Sequence, residues 1–155
     1  KAVREINTGT YAFNNQSLFE GLKHLNNNNA QQEYYLTDLV DILKKLGKKV
    51  VAIPCDDWQE VQGINGNVEL AHAAKYMQER INTEWMKKGV TIYDPNTTYI
   101  GPNVTFGTDV IIHPNTYLYG DVTVEDYAEI LPGTWLEDIN VSKAETVGPF
   151  VRRKG

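Results

Sequence analysis

A dense group of polar and aromatic side chains runs from Asn29 to Asp38, just before a predicted helix. This polar segment (residues 29–38) reads Asn-Ala-Gln-Gln-Glu-Tyr-Tyr-Leu-Thr-Asp, so amides, a carboxylate, two phenols and a hydroxyl stand close together. Such groups suit a sugar, whose hydroxyls need many hydrogen bonds and whose ring packs against an aromatic face. A helix cap with an aromatic anchor would use the same residue types, so both interpretations stay open on the residues alone.

Two further short motifs have the residue types of a binding site. Asn7 and Thr8 precede Gly9 after an apolar stretch, and a glycine there lets a ligand approach the backbone. Asn65 precedes the longest helical pattern, and its neutral amide oxygen is an acceptable Mg²⁺ ligand. Each motif also has a structural interpretation, which is a turn for the first and a helix cap for Asn65.

The remaining reactive residues form no recognisable catalytic or metal-binding pattern in the sequence. His113 stands beside Pro114 on a predicted turn, where it could act as a base, although a structural role is the simpler interpretation. Asp56, Asp57 and Glu60 have the character of a solvated loop. The sequence has no His/Cys metal spacing, no Ser/His/Asp order and no glycine-rich phosphate loop.

Hydrophobic periodicity predicts the elements that carry the first of these motifs. Asn15 or Ser17 can cap one helix, and Gly47 can end another. The predicted elements are a strand over residues 3–13, a helix to residue 24, a helix from residue 37 or 38 to 47, and a buried strand over 49–54. This order predicts part of a layered α/β domain.

A long helical pattern follows, from Asn67 to Lys88, and Gly89 ends it. At about 1.5 Å per residue it would span roughly 30 Å, a length that suits a connector between two bodies. A surface helix of the α/β part is the alternative interpretation.

From Ile100 onward, apolar residues recur at every sixth position. Large residues form one series, which is Ile100, Phe106, Ile112, Leu118, Val124, Ile130 and Leu136. Small or β-branched residues form a second series, which is Val104, Val110, Thr116, Val122, Ala128 and Thr134, and it fails at Asn140. Units this short bury their apolar residues only by stacking, so the pattern predicts a hexapeptide-repeat parallel β-helix. We expect it to begin at residues 90–95 and to make a little over two turns of about 18 residues each.

Composition narrows the classes of partner. The net charge of −5 provides no basic surface, so we expect neither nucleic acid nor an anionic membrane as a partner. No apolar run approaches the roughly 20 residues of a transmembrane helix. A lone cysteine, Cys55, fits a reducing cytoplasm.

Taken in order, these motifs resemble one bacterial family, the bifunctional N-acetylglucosamine-1-phosphate uridyltransferase / glucosamine-1-phosphate acetyltransferase. The resemblance rests on the segments 5–9, 28–31, 33–38 and 63–65, followed by the long helix and the hexapeptides. It implies the C-terminal half of a Rossmann-like α/β nucleotidyltransferase domain over residues 1–66, a linker helix over 67–89, and the first turns of a left-handed β-helix, the acetyltransferase domain, over 90–155.

The resemblance also implies an activity. Members of this family acetylate glucosamine 1-phosphate with acetyl-CoA, then join the product to UTP with Mg²⁺ to make UDP-N-acetylglucosamine, a precursor of peptidoglycan and lipopolysaccharide. They act as cytoplasmic homotrimers. By this resemblance, Asn7, Glu33, Tyr35, Thr37 and Asn65 would contact the nucleotide sugar, and Asn65 would also help to hold Mg²⁺. It places no catalytic residue in this chain.

The chain departs from the family pattern at two places. Gln32 stands where a glycine is usual, and residues 152–155 differ from the usual basic stretch.

We expect an internal fragment with neither activity by itself, because essential parts of both active sites would lie elsewhere. Two other interpretations stay open: a related sugar-1-phosphate nucleotidyltransferase with a hexapeptide tail, such as those that make ADP-glucose or GDP-mannose, and a non-catalytic trimerising β-helix module.

Overall fold

The computed structural model describes residues 5–155. They form two compact units, one that ends at Gly63 and one that comprises Ile64–Gly155. Across the described residues, no helix combines the length and the apolar character needed to cross a membrane.

The first unit contains two short helices and a turn of 3₁₀-helix. Helix α1 is Asn15–Leu22, helix α2 is Asp38–Lys45, and the 3₁₀ turn is Trp58–Val61. Asn14 caps α1, because its Oδ1 accepts a hydrogen bond from the Ser17 N–H at 3.1 Å. The cap therefore lies one residue before the earliest position that we predicted, and both predicted helices are confirmed.

The two helices pack closely through a glycine. Gly21 of α1 is buried, and a Cβ atom there would lie 3.0 Å from Leu39 Cδ2 and 3.2 Å from Leu43 Cδ2. Leu39 and Leu43 are the buried hydrophobic residues of this unit within the described chain. With only two buried leucines described, the helix pair removes little apolar surface from water and gains little stability from this contact.

The two predicted strands of the first unit are wrong. Residues 5–13 and 49–54 form no strand pairing, while Val3 and Arg4 lie outside the described residues. Ile53 is 86% exposed, so the segment around it is not buried either. A strand needs a neighbouring strand to satisfy its N–H and C=O groups, and no described segment provides one.

The predicted long helix is confirmed as helix α3, Asn67–Lys87. Gly89, at φ 100°, follows it in the left-handed region. Ile81 and Trp85 pack against the core of the second unit, and the Trp85 ring meets the Phe106 ring edge-on at 4.9 Å. The C-terminal half of α3 therefore covers the first turn of the coil described next.

The rest of the second unit is a parallel β-helix with three sheets. Its strands are β1 Thr91–Ile92, β2 Thr98–Ile100, β3 Thr105–Phe106, β4 Ile111–Ile112, β5 Thr116–Tyr119, β6 Thr123–Val124, β7 Glu129–Ile130, β8 Trp135–Glu137, β9 Asn140–Val141, β10 Thr146–Val147 and β11 Arg152–Lys154. The sheet orders are β1-β4-β7-β10, β2-β5-β8-β11 and β3-β6-β9. Two sheets with four strands and one with three make nearly four turns, so the expected two turns are too few.

Both hexapeptide series point into this coil, as predicted. Ile112, Leu118, Val124, Ile130 and Leu136 are 0% exposed, and every member of the second series is 2% exposed or less. Phe106 is the one member of the two series that is only half-buried, and the ring of Trp85 on helix α3 covers part of it. Each residue is buried by its equivalent in the next turn, which is why the period is readable from the sequence.

The length of a turn varies along the coil. Tyr117 pairs with Trp135, a step of 18 residues, whereas Val124 pairs with Val141, a step of 17. One residue is therefore missing between β8 and β9. Ile139, which packs against the core, takes the place in the second series expected at residue 140, and Val141, only 1% exposed, continues the first series. This deletion explains why the second series breaks off at Asn140 although the coil continues.

Left-handed residues form the corners of the coil. One corner has Asp109, Tyr127 and Ala144 at φ 52°, 61° and 57°, and another has Asn115 and Phe150 at φ 58° and 55°. A non-glycine residue in this region costs roughly 1 kcal/mol. Stacked hydrogen bonds between turns hold these corners, for example from the Asn115 N–H to Thr97 Oγ1 at 3.0 Å.

Candidate functional site

The polar segment is organised by one amide side chain. Asn29 Oδ1 accepts hydrogen bonds from the backbone N–H groups of Gln31 and Glu33 at 3.1 and 3.2 Å. Asn29 Nδ2 donates to the Glu33 carbonyl at 2.6 Å. Between them, Gln32 adopts a left-handed conformation at φ 54°, which is a backbone reason for glycine to be favoured there.

The segment then leads directly into helix α2. The Asp38 N–H donates to the Tyr35 carbonyl at 3.1 Å, and the Val40 N–H donates to the Thr37 carbonyl at 3.2 Å. Thr37 is the N-cap, but its side chain makes no capping hydrogen bond. Its hydroxyl is therefore not used as a cap. Glu33 and Thr37 are exposed and Tyr35 is half-buried, so all three are accessible to a ligand.

Asn7 lies on a separate loop of the same unit. Its Oδ1 accepts from the Gly9 N–H at 3.1 Å, and its Nδ2 donates to the Tyr11 hydroxyl at 2.6 Å. Gly9 is left-handed at φ 77°, so the predicted turn is present. In the described part of the chain, no hydrogen bond joins Asn7 to Glu33, Tyr35 or Thr37.

Asn65 belongs to the second unit, which begins at Ile64. Gly66, not Asn65, is the N-cap residue of α3, so the capping interpretation of Asn65 is wrong. Asn65 offers one amide oxygen, and residues 5–155 hold no cluster of three or more His, Cys, Asp or Glu side chains suited to a metal ion. Because Mg²⁺ takes about six oxygen ligands, the described residues do not form a complete Mg²⁺ site.

His113 is held by a carboxylate from the next turn of the coil. Its Nε2 lies 2.7 Å from Glu129 Oε1, and the Tyr93 ring meets the imidazole edge-on at 5.0 Å. These contacts join three turns of one sheet, which favours the structural interpretation of His113. The sequence signal that finds this pair is the 18-residue register, which places Glu129 beside Ile111.

The outer face of the second sheet carries an aromatic ladder that sequence reasoning missed. Tyr99 stacks on Tyr117 at 5.1 Å, and Tyr117 stacks on Trp135 at 5.3 Å. The Arg152 guanidinium lies 5.5 Å from the centre of the Trp135 ring. Burial raises the pKa of the neighbouring Tyr119 phenol, and Tyr117 and Tyr99 add to this effect. The 18-residue spacing of the ladder residues is the signal that could have revealed it.

The basic side chains of β11 are largely neutralised within the coil. Lys154 Nζ lies 2.6 Å from Glu137 Oε1, and Arg153 Nη1 lies 2.8 Å from Glu145 Oε1. The hydrogen bond from Lys154 lowers the pKa of Glu137, and that from Arg153 lowers the pKa of Glu145. These pairs tie the last strand to earlier parts of the coil.

Known proteins resemble this chain along nearly its whole length. The chain is 44% identical over 147 residues to the Bifunctional protein GlmU of Halalkalibacterium halodurans, which is 95% of this chain and 32% of that protein. It is 46% identical over 145 residues to the protein of the same name from Streptococcus agalactiae serotype V, which is 94% of the chain and 32% of the relative. It is 39% identical over 165 residues to the protein of the same name from Shouchella clausii, which is 96% of this chain and 36% of that relative.

These matches confirm the resemblance that we drew from the motifs. The aligned region runs through the polar segment, the long helix and the coil, since it covers 94–96% of the chain. The chain spans about a third of the length of the curated relatives it matches. No model of a known protein family matches the chain.

Proposed function

We propose, from this relation to the bifunctional GlmU proteins, that the chain is part of an enzyme that makes UDP-N-acetylglucosamine. The observation that carries the proposal is identity of about two residues in five over nearly the whole chain, through the polar segment as well as the coil. The complete reaction joins UTP to N-acetylglucosamine 1-phosphate and releases pyrophosphate, after acetyl-CoA has provided the acetyl group.

In this proposal the first unit helps to bind the nucleotide sugar. Glu33 and Thr37 present a carboxylate and a hydroxyl that can hydrogen-bond sugar hydroxyl groups, while the Tyr35 ring can pack against a sugar face. What supports this assignment is their exposure on one short segment with a defined backbone. Asn7 would join the site by exchanging its hydrogen bond with Tyr11 for one with the ligand.

These groups position the ligand and do no bond-making chemistry. The proposal contains no catalytic residue in this chain, and the 155 residues by themselves should form no UDP-N-acetylglucosamine. Positioning is nevertheless a large part of phosphoryl and nucleotidyl transfer, in which reacting oxygens must lie in line. Asn65 would be the contribution of this chain to Mg²⁺ binding, with the other ligands provided elsewhere in the enzyme.

The domain assignment follows the family. Residues 1–66 would be the C-terminal half of a Rossmann-like nucleotidyltransferase domain, residues 67–89 its linker helix, and residues 90–155 the first turns of a left-handed β-helix that carries acetyltransferase function. The enzyme would work in the cytoplasm as a homotrimer assembled through its β-helices. The aromatic ladder supports assembly, because its stacked rings lie on the outer face of the coil and are partly exposed.

A second candidate function is a trimerising module that binds no nucleotide sugar. The well-buried coil favours it, since the coil forms its own core whereas the first unit buries only Leu39 and Leu43 among its described hydrophobic residues. Sedimentation as a trimer without nucleotide-sugar binding is the result that this candidate predicts.

Calorimetric titration of the 155-residue chain with UDP-N-acetylglucosamine, ADP-glucose and GDP-mannose tests the proposal. We expect UDP-N-acetylglucosamine to bind best, and Thr37→Val to weaken it about tenfold through the lost hydrogen bond. Thr105→Val is the matched control, because its exposed hydroxyl bonds Thr123 on the coil. Equal binding of the three nucleotide sugars, or none at all, would contradict the proposal.

A further inference from the structure

Asn29 stabilises the backbone of the polar segment on both sides of a left-handed residue. Its side chain makes three hydrogen bonds to main-chain groups of Gln31 and Glu33. Gln32 lies between them at φ 54°. A non-glycine residue keeps this conformation only where its surroundings hold it, and here the Asn29 amide provides that hold.

Few other contacts restrain this part of the chain. Residues 31–34 are exposed, so apolar packing does not fix their backbone. The Gln32 N–H donates to the Asn29 carbonyl at 3.1 Å, and Asn27 Nδ2 reaches the Gln32 carbonyl only at 3.5 Å. The shortest hydrogen bond of the group is therefore the one from Asn29 Nδ2 to the Glu33 carbonyl, at 2.6 Å.

By holding the backbone of Glu33, Asn29 also holds the first of the three proposed binding residues. Glu33 stands five residues before the first residue of α2, and Tyr35 and Thr37 occupy the interval. The helix holds one end of this interval and Asn29 holds the other. The two ends together define where Glu33, Tyr35 and Thr37 stand relative to one another.

We propose that Asn29 is a positioning residue for the nucleotide sugar. This inference rests on the proposed function of the polar segment. Asn29 acts through the backbone of Glu33 and makes no contact with the ligand. Removing its amide leaves the binding side chains in place but frees their backbone, so ligand binding has to order the segment again.

The test compares the variants Asn29→Ala, Asn29→Asp and Asn28→Ala in the 155-residue chain. Asn28 is the matched control, since the hydrogen bond at this residue involves its backbone N–H and not its side chain. Amide hydrogen exchange at Gln31 and Glu33 reports the loop order, and calorimetric titration with UDP-N-acetylglucosamine reports binding. Circular dichroism shows that each variant keeps its helices.

We expect Asn29→Ala to raise the exchange rates of these two amides and to weaken binding about tenfold. Asn29→Asp, which keeps an acceptor for both N–H groups, should fall between Asn29→Ala and the natural chain. Asn28→Ala should match the natural chain in both readouts.

Two results would overturn the inference separately from the proposed function. Exchange rates in Asn29→Ala that equal those of the natural chain would show that Asn29 does not order the segment. Faster exchange with unchanged affinity would show that this order does not matter for binding. Absence of binding by the natural chain itself would instead overturn the proposed function. The positioning role of Asn29 in nucleotide-sugar binding would then be overturned as well.

Discussion

In the coil, Ile112, Leu118 and Leu136 are 0% exposed, whereas in the first unit Phe19 and Ile53 are 59% and 86% exposed. The two regions have similar proportions of apolar residues, but the coil buries these side chains and the first unit leaves many of them exposed. A residue of the coil is covered by its counterpart one turn away, so about 18 residues of chain provide the next layer of the core. The first unit has two helices joined by a glycine contact, and its remaining apolar residues have no comparable partner in the described chain. The comparison indicates that the coil contributes most of the stability.

The largest expected effect is the loss of a core side chain from the coil. Leu118→Ala should lower the free energy of unfolding by about 3 kcal/mol, because it leaves a cavity between tightly stacked turns. Phe19→Ala in helix α1 should change it by less than about 1 kcal/mol, since that ring is 59% exposed. Urea unfolding followed by circular dichroism measures both. Equal effects of the two substitutions would remove the basis of the comparison.

The next effect concerns the junction between helix α3 and the coil. Asn82 is 0% exposed, and its Nδ2 donates to the carbonyls of Pro95 and Thr98, both at 2.9 Å. Asn82→Ala should destabilise the second unit by about 2 kcal/mol, because a buried polar contact is lost and a small cavity is left. Glu79→Ala, at an exposed position on the same helix, is the control and should stay within about 0.5 kcal/mol.

A smaller effect, of opposite sign, is expected at a corner of the coil. Ala144 is left-handed at φ 57°, a conformation that glycine adopts without steric cost. Ala144→Gly should therefore raise the free energy of unfolding by about 0.5 kcal/mol, after the greater chain entropy of glycine is subtracted. Ala128→Gly, at a buried position with ordinary φ, should instead lower it. A destabilised Ala144→Gly variant would contradict the corner geometry.

The smallest effect is the pH dependence of the last strand. Lys154 and Arg153 lower the pKa of Glu137 and Glu145 below their ordinary value of 4.5. A carboxyl group whose pKa is lower in the folded state stabilises the fold above its unfolded pKa. This stabilisation is lost as the pH falls through the folded pKa, so the free energy of unfolding should decrease below pH 4.5. The double variant Glu137→Gln, Glu145→Gln should lose part of this acid sensitivity, measured as the urea midpoint between neutral pH and pH 3.

The coil was predictable because its period repeats in the sequence. Val104 and Val110 mark the same kind of position one hexad apart, and both are buried. The number of turns was underestimated for two reasons. The hexad count began only at Ile100, and a single missing residue before Val141 shifts the pattern by one position and hides the later repeats. The strands of the first unit were wrong for a different reason. Val50, Val51 and Ile53 have strand character, but pairing depends on a neighbour, and local composition does not reveal whether that neighbour is present.

The candidate site was predictable in its residue types and less so in its geometry. Glu33, Tyr35 and Thr37 stand on one exposed segment, as their spacing suggests. The role of Asn29 depends on a left-handed residue three positions later, and no side-chain pattern marks a backbone angle of this kind in advance. The aromatic ladder and the His113–Glu129 pair depend on the exact register between turns, which the hexapeptide count fixes only to within a residue.

NMR mapping of the nucleotide-sugar contact tests whether the polar segment binds UDP-N-acetylglucosamine. ¹⁵N-labelled chain would be titrated with UDP-N-acetylglucosamine, with ADP-glucose as the matched control ligand. We expect the backbone amide signals of residues 29–38 and of Asn7 to shift with UDP-N-acetylglucosamine, while the signals of the buried coil residues stay unchanged. Shifts confined to the coil, or equal shifts with ADP-glucose, would contradict it.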